Sequence, residues 1–268
     1  DVWVAAGVYR PQSCPYGGDS TDVRSVHFGM RSEVAVYGGF PANARDGHRN
    51  SNDVADRDPS AYRTVLSGDL GGDDYDPDGD GITQTSGDIL GGNAYHVLRY
   101  PEQAQWQPAE VGKVREFTLD GVVITAGSAD IAEDTLDENG GGIVSYGLAL
   151  TVRQCTVLGC AAGQEDSLGG GLCQIRGSLR VEACRFSDNK AGSGGGIYVE
   201  DADEVIIESS DFTGNSDGGG ITLACDAEVR DCSFTKNQAD SGGGISAYGT
   251  WGSHLYDLRI HGCSFEDN

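Results

Sequence analysis

The triplet Gly-Gly-Gly followed by Ile or Leu occurs five times, beginning at Gly140, Gly169, Gly194, Gly218 and Gly242. The intervals are 29, 25, 24 and 24 residues. A near-constant period in this range means that one supersecondary unit is repeated, as in a solenoid, a propeller or an array. No unit of that size buries its own apolar face, so neighbouring copies must stack.

Between the triplets, apolar residues fall at spacings of 2, 3 and 2. The copies read Leu150, Val152, Cys155, Val157, then Leu179, Val181, Cys184, Phe186, then Val205, Ile207, Ser210, Phe212. They continue as Ala227, Val229, Cys232, Phe234 and Leu258, Ile260, Cys263, Phe265, and an earlier copy is Phe117, Leu119, Val122, Ile124. A spacing of 2 keeps side chains on one strand face. The step of 3 marks a corner, where one extra residue bends the chain. A third alternating run follows each triplet, as in Ile197 and Val199. No helical period near 3.6 is sustained. The expected fold is all-β: a right-handed parallel β-helix with three short strands per rung and rungs about 4.8 Å apart. Residues 111–268 carry the regular rungs. Residues 1–110 hold shorter strand-like runs (Val2–Ala6, Val34–Tyr37, Thr64–Leu66, Tyr95–Arg99), read as less regular rungs of the same domain, 1–268.

The net charge is −24, with only three lysines, Lys113, Lys190 and Lys236. That charge repels nucleic acid and anionic membranes. No apolar stretch is long enough to span a bilayer. The chain begins at Asp1 and ends on a motif leading into another repeat, which reads as a piece of a longer protein.

Phe-x-x-Asn recurs as Phe186–Asn189, Phe212–Asn215, Phe234–Asn237 and Phe265–Asn268, and the first three run shortly into a glycine triplet. This pairing resembles the repeats of chlamydial polymorphic outer-membrane proteins and of large secreted β-helix proteins from environmental bacteria. The segments DVWVAAGVYRP, VAVYGGF, TVLSGDL, NAYHVLR and FTLDGVVITAG are similar to the opening of the latter. The resemblance covers nearly all the chain; the part shared with the polymorphic proteins implies a passenger-type, surface-displayed adhesin, while the environmental proteins have mostly unassigned roles, and both place the chain at the outside of a bacterium. The earliest clear rung departs from the motif, with Val157 for Phe and Cys160 for Asn.

The repeated Asn residues are expected to be structural, hydrogen-bonding from rung to rung. The glycines allow tight corners rather than a phosphate loop, since neither a Lys nor a helix follows. None of the eight cysteines forms a CxxC pair, which argues against a zinc ribbon. The column Cys155, Cys184, Cys232, Cys263 is expected to pack as buried free thiols, because parallel side chains on stacked strands meet disulfide geometry poorly.

Three loops are candidate sites. Asp73 to Gly81 places carboxylates at Asp74, Asp76, Asp78 and Asp80, beside glycines that permit a sharp turn around a hard cation such as calcium. From Asp76 the spacing follows the front half of an EF-hand, but the twelfth position is Gly87, so a full EF-hand is rejected. The alternatives are a looser calcium loop and a solvated acidic insertion, and no cofactor is required. The loop Ala247–Asp257 carries Tyr248, Trp251, His254 and Tyr256, which either stack on sugar rings or cover a gap in the coil. The third loop, Ala126–Asn139, is acidic.

The β-helix also carries polysaccharide lyases and hydrolases, and fold does not decide function. The outward position of six rungs reads Asp120, Arg153, Glu182, Glu208, Arg230, His261. Alternating charges of this kind are expected to form a surface ladder, although Glu182 and Glu208 on adjacent rungs have the separation of a retaining glycosidase pair. No Asn-Thr-Asp motif is present. The sequence points to a secreted or cell-surface structural or adhesin-like β-helix without catalytic activity. Its expected partner is an extracellular glycan or a host or neighbouring cell surface. The alternative is a polysaccharide-active or carbohydrate-binding β-helix, a lyase or glycoside hydrolase.

Overall fold

The computed structural model describes residues 1–15, 20–42, 57–100, 115–130, 138–163, 165–249 and 256–268. The chain is a right-handed parallel β-helix. Every pairing between its named strands is parallel, in sheets of thirteen, eight and four strands among the described residues. No helix among these residues is long and apolar enough to cross a membrane.

The sequence columns become structural columns. Leu150 registers with Leu179, and Leu179 with Val205. Val157, Phe186, Phe212, Phe234 and Phe265 follow one another through the eight-stranded sheet. The four phenylalanine rings stack nearly face to face, with centroids 4.9–5.3 Å apart. Phe186, Phe212 and Phe234 are fully buried. Each contributes far more than a surface contact, because its apolar area leaves water altogether.

The step of 3 is a real corner. Its extra residue is left-handed in successive rungs, at Gln154, Ala183, Ser209 and Asp231. The second corner lies inside Phe-x-x-Asn, where Asp188, Gly214 and Lys236 are left-handed. The side-chain amides of Asn189, Asn215, Asn237 and Asn268 form a continuous ladder that fixes it. The third glycine of each triplet is needed for close approach. A Cβ on Gly171 would lie 2.6 Å from Gly196 O, and one on Gly196 would lie 2.4 Å from Gly220 O.

The structure divides the rung differently from the sequence. The run after the triplet and the next run both belong to the thirteen-stranded sheet, and in Ile143–Arg153 and Leu172–Glu182 they fuse into one strand. Gly147 (φ 69°) and Gly177 (φ 73°) provide the bend within them. The four-stranded sheet comes instead from two-residue strands, Ser128–Ala129, Ala161–Ala162, Lys190–Ala191 and Ser216–Asp217. Segments this short leave no alternation to read.

The early runs join the same sheets. Val2–Ala5 pairs with Val34–Phe40, which pairs with Glu116–Asp120. Gly7–Tyr9 pairs with Thr64–Ser67, which pairs with Val123–Thr125.

Candidate functional site

The outward face of the thirteen-stranded sheet carries the expected charge ladder, and its carboxylates are engaged. Buried Asp120 accepts from Arg57 and, at 2.8 Å, from Arg153. Glu208 is held between Arg180 and Arg230. Glu228 receives Arg230 at 2.8 Å and His261 at 3.2 Å. Hydrogen bonds from His261 and then Arg230 hold the Glu228 carboxyl below its ordinary range. Glu182 pairs with Arg180 at 3.7 Å. Two carboxylates committed to arginines are poorly placed to share acid and base roles, which need one group held protonated.

The acidic loop splits in two. Asp74 is an internal anchor, accepting from Thr83 Oγ1 at 2.8 Å, Leu90 N at 2.7 Å and Asn93 Nδ2 at 2.9 Å. Its carboxyl is pushed up, first by burial, with these hydrogen bonds opposing. Asp76, Asp78 and Asp80 come together, each offering an oxygen within 4.8 Å of the others. Asp78 is pushed up by its hydrogen bond to Asp76 and by the charge of Asp80, as expected where carboxylates crowd. Asp80 also pairs with Arg63 at 2.9 Å. These three could hold a hard cation through oxygen ligands, and Asp74 is separately committed.

The acidic run is largely exposed apart from Asp74, and the chain that follows it packs onto the coil. Ile82 packs with Val65 and Leu158 on the outside of the eight-stranded sheet. Thr83 O accepts from Thr125 Oγ1 at 2.8 Å, and Ser86 N donates to Asp188 O at 3.2 Å. The segment is a strap laid across successive rungs, with the aspartate cluster in its first half.

In the aromatic loop, Trp251 and His254 lie outside the described residues. Tyr256 is half-buried. Tyr248 is exposed, and its hydroxyl meets that of buried Tyr198 at 2.7 Å. Of the acidic third loop, residues 131–137 lie outside the described residues, and Asp130 pairs with Arg24 at 2.6 Å.

A groove of about 610 Å³ crosses the four-stranded sheet, where the sequence reading named no site. Its polar lining is Glu165, Lys190, Asp217, Gln238 and Asp240. Lys190 and Asp217, on adjacent strands, form an exposed pair at 3.2 Å. The segment 165–167 makes one wall, fixed by hydrogen bonds from Gly192 N to Ser167 Oγ and from Ser193 N to Ser167 O. The available signal was positional. Lys190 and Ser216 each follow a ladder Asn and open a strand of the four-stranded sheet, and Gln238 follows the next ladder Asn.

Residues 169–268 match the family model described as right handed beta helix region. No curated protein and no solved structure matches the chain.

Proposed function

We propose that this chain is a secreted or cell-surface β-helix of structural or adhesive role, displayed on the outside of a bacterium. The observation that carries the reading is the commitment of the outward carboxylates to arginines, above all Glu208 between Arg180 and Arg230. The charge of −24 fits a solvated exterior surface. The resemblance of the Phe-x-x-Asn and glycine-triplet repeats to surface-displayed proteins points the same way. Calcium at Asp76, Asp78 and Asp80 would serve as a brace for the strap rather than as a catalytic centre.

Carbohydrate binding is the second reading, favoured by the polar groove over the four-stranded sheet. Two measurements separate these from an enzyme. The purified chain with calcium is incubated with pectate, alginate, glycosaminoglycans and neutral glycans, following new reducing ends and the absorbance of unsaturated uronates. In parallel, its saturable attachment to bacterial and animal cells is measured. Attachment without turnover is expected. Turnover that disappears in Glu182→Gln/Glu208→Gln or in His261→Ala would make the protein an enzyme and end the reading.

A further inference from the structure

The groove over the strands Ala161–Ala162, Lys190–Ala191 and Ser216–Asp217 presents three carboxylates, one ammonium and one amide within a single open volume of about 610 Å³. That size lies within the range of small-ligand sites. We propose that it binds a neutral oligosaccharide chain lying along the coil axis. The proposal rests on the adhesive reading and names its partner class.

Four observations carry it. The groove runs from rung to rung, lined in turn by Ala162, Lys190, Asp217 and Gln238 on successive rungs about 4.8 Å apart, so an extended chain can lie along it. Its charges are acidic in sum, with Glu165, Asp217 and Asp240 against Lys190, so a uronate or phosphodiester chain is repelled. Its apolar lining is limited to Ala162 and Ala239, which gives a hydrophobic peptide side chain nothing to fill. What remains suits hydroxyls: carboxylates accept from them, and the Lys190 ammonium and Gln238 amide donate. The Lys190–Asp217 pair does not block this role. Both side chains are about half exposed, and such pairs contribute little stability, so a ligand can take over their hydrogen bonds.

The test uses the whole chain in saturation-transfer NMR and titration calorimetry. The probes are hexasaccharides of the cello, xylo, manno, malto and N-acetyl-chito series, with an oligogalacturonate and a basic peptide as competing chemistries. Binding of at least one neutral series is expected, with no binding of the oligogalacturonate. Lys190→Ala and Gln238→Ala should each weaken that binding tenfold or more at unchanged Tm, and Arg259→Ala, on another face, should leave it intact. The proposal is overturned if no neutral series binds, if both groove variants bind like the parent, or if only the peptide or the polyanion binds. A chain that attaches to cells yet fails these tests loses the groove and keeps the adhesive reading. A chain that binds through Lys190 and cleaves the glycan keeps the groove and loses the non-catalytic reading.

Discussion

Asn215 donates one side-chain amide hydrogen to Asn237 Oδ1 at 2.9 Å, one rung away, and the other to Phe186 O at 3.0 Å. Its own Oδ1 accepts from the backbone and side-chain nitrogens of Asn189, at 3.2 and 3.1 Å. One fully buried side chain thus satisfies groups on the rungs before and after it. Asn215→Ala strands two donors of Asn189 and the carbonyl of Phe186. Unpaired buried groups are costly, and a loss of about 3 kcal/mol is expected. The matching change Asn268→Ala, at an exposed position, should cost less than half as much. Urea unfolding of both variants checks the difference, and equal losses would show that the ladder adds nothing beyond local turn preference.

The phenylalanine stack gives a graded test. Phe212 is fully buried between two stacked rings, and Phe265 is 51% exposed. Phe212→Ala should cost about 3–5 kcal/mol by leaving a cavity that the stacked backbone cannot close. Phe265→Ala should cost a small fraction of that, measured by the same denaturation.

All eight cysteines are free, and six are buried. Burial pushes the thiols of Cys160 and Cys232 up to about 12 and that of Cys225 to about 11, far from the reactive thiolate. Iodoacetamide at pH 8 should therefore label Cys14 and Cys263 in the native protein and the other six only after denaturation. Peptide mass spectrometry reads the pattern, and rapid native labelling at Cys184 or Cys232 would contradict the packing.

His27 is a buried acid-sensitive point. Burial pushes its imidazole below the ordinary value, and the charges of Arg99 and His96 add to this, against the hydrogen bond to Ser25 O. Its folded pKa is depressed, so the unfolded chain binds the proton more readily. The stability linked to neutral His27 is present above about pH 6.5 and is lost as pH falls below that value. Tm measured from pH 8 to 5 should decline over the lower half of the range, and His27→Gln should flatten that decline.

The strap separates two kinds of aspartate. Calcium binding at Asp76, Asp78 and Asp80 would raise Tm, and the rise would continue with the logarithm of free calcium above saturation; a chelator would reverse it. Asp78→Asn should abolish that shift with little change in the calcium-free Tm. Asp74→Asn should lower Tm with or without calcium, because Asp74 accepts three internal hydrogen bonds. A calcium-insensitive parent protein would remove the cation from the account.

The Phe186, Phe212, Phe234, Phe265 column, the Asn ladder and the corner between Val152 and Cys155 follow from spacing alone. A parallel coil puts equivalent residues one rung apart, so sequence period becomes spatial neighbourhood. The charge ladder was legible for the same reason: Glu208 and Arg230 occupy the same position in consecutive repeats.

The parts that break the period were decided only in three dimensions. Asp74 and Asp76 are two residues apart in one acidic run, yet one anchors the strap and the other joins the aspartate cluster. Their roles depend on where Ile82 and Thr83 land on the outside of the eight-stranded sheet, a contact between distant segments that no local pattern encodes. The groove at Lys190 likewise arises because the segment 165–167 folds over Gly192. The sequence by itself determined the repeated rung, since a period of about 24 residues has to bury its apolar positions by stacking. Tertiary structure alone decided what the irregular segments cover and leave open, because their energies come from contacts between rungs rather than from their own composition.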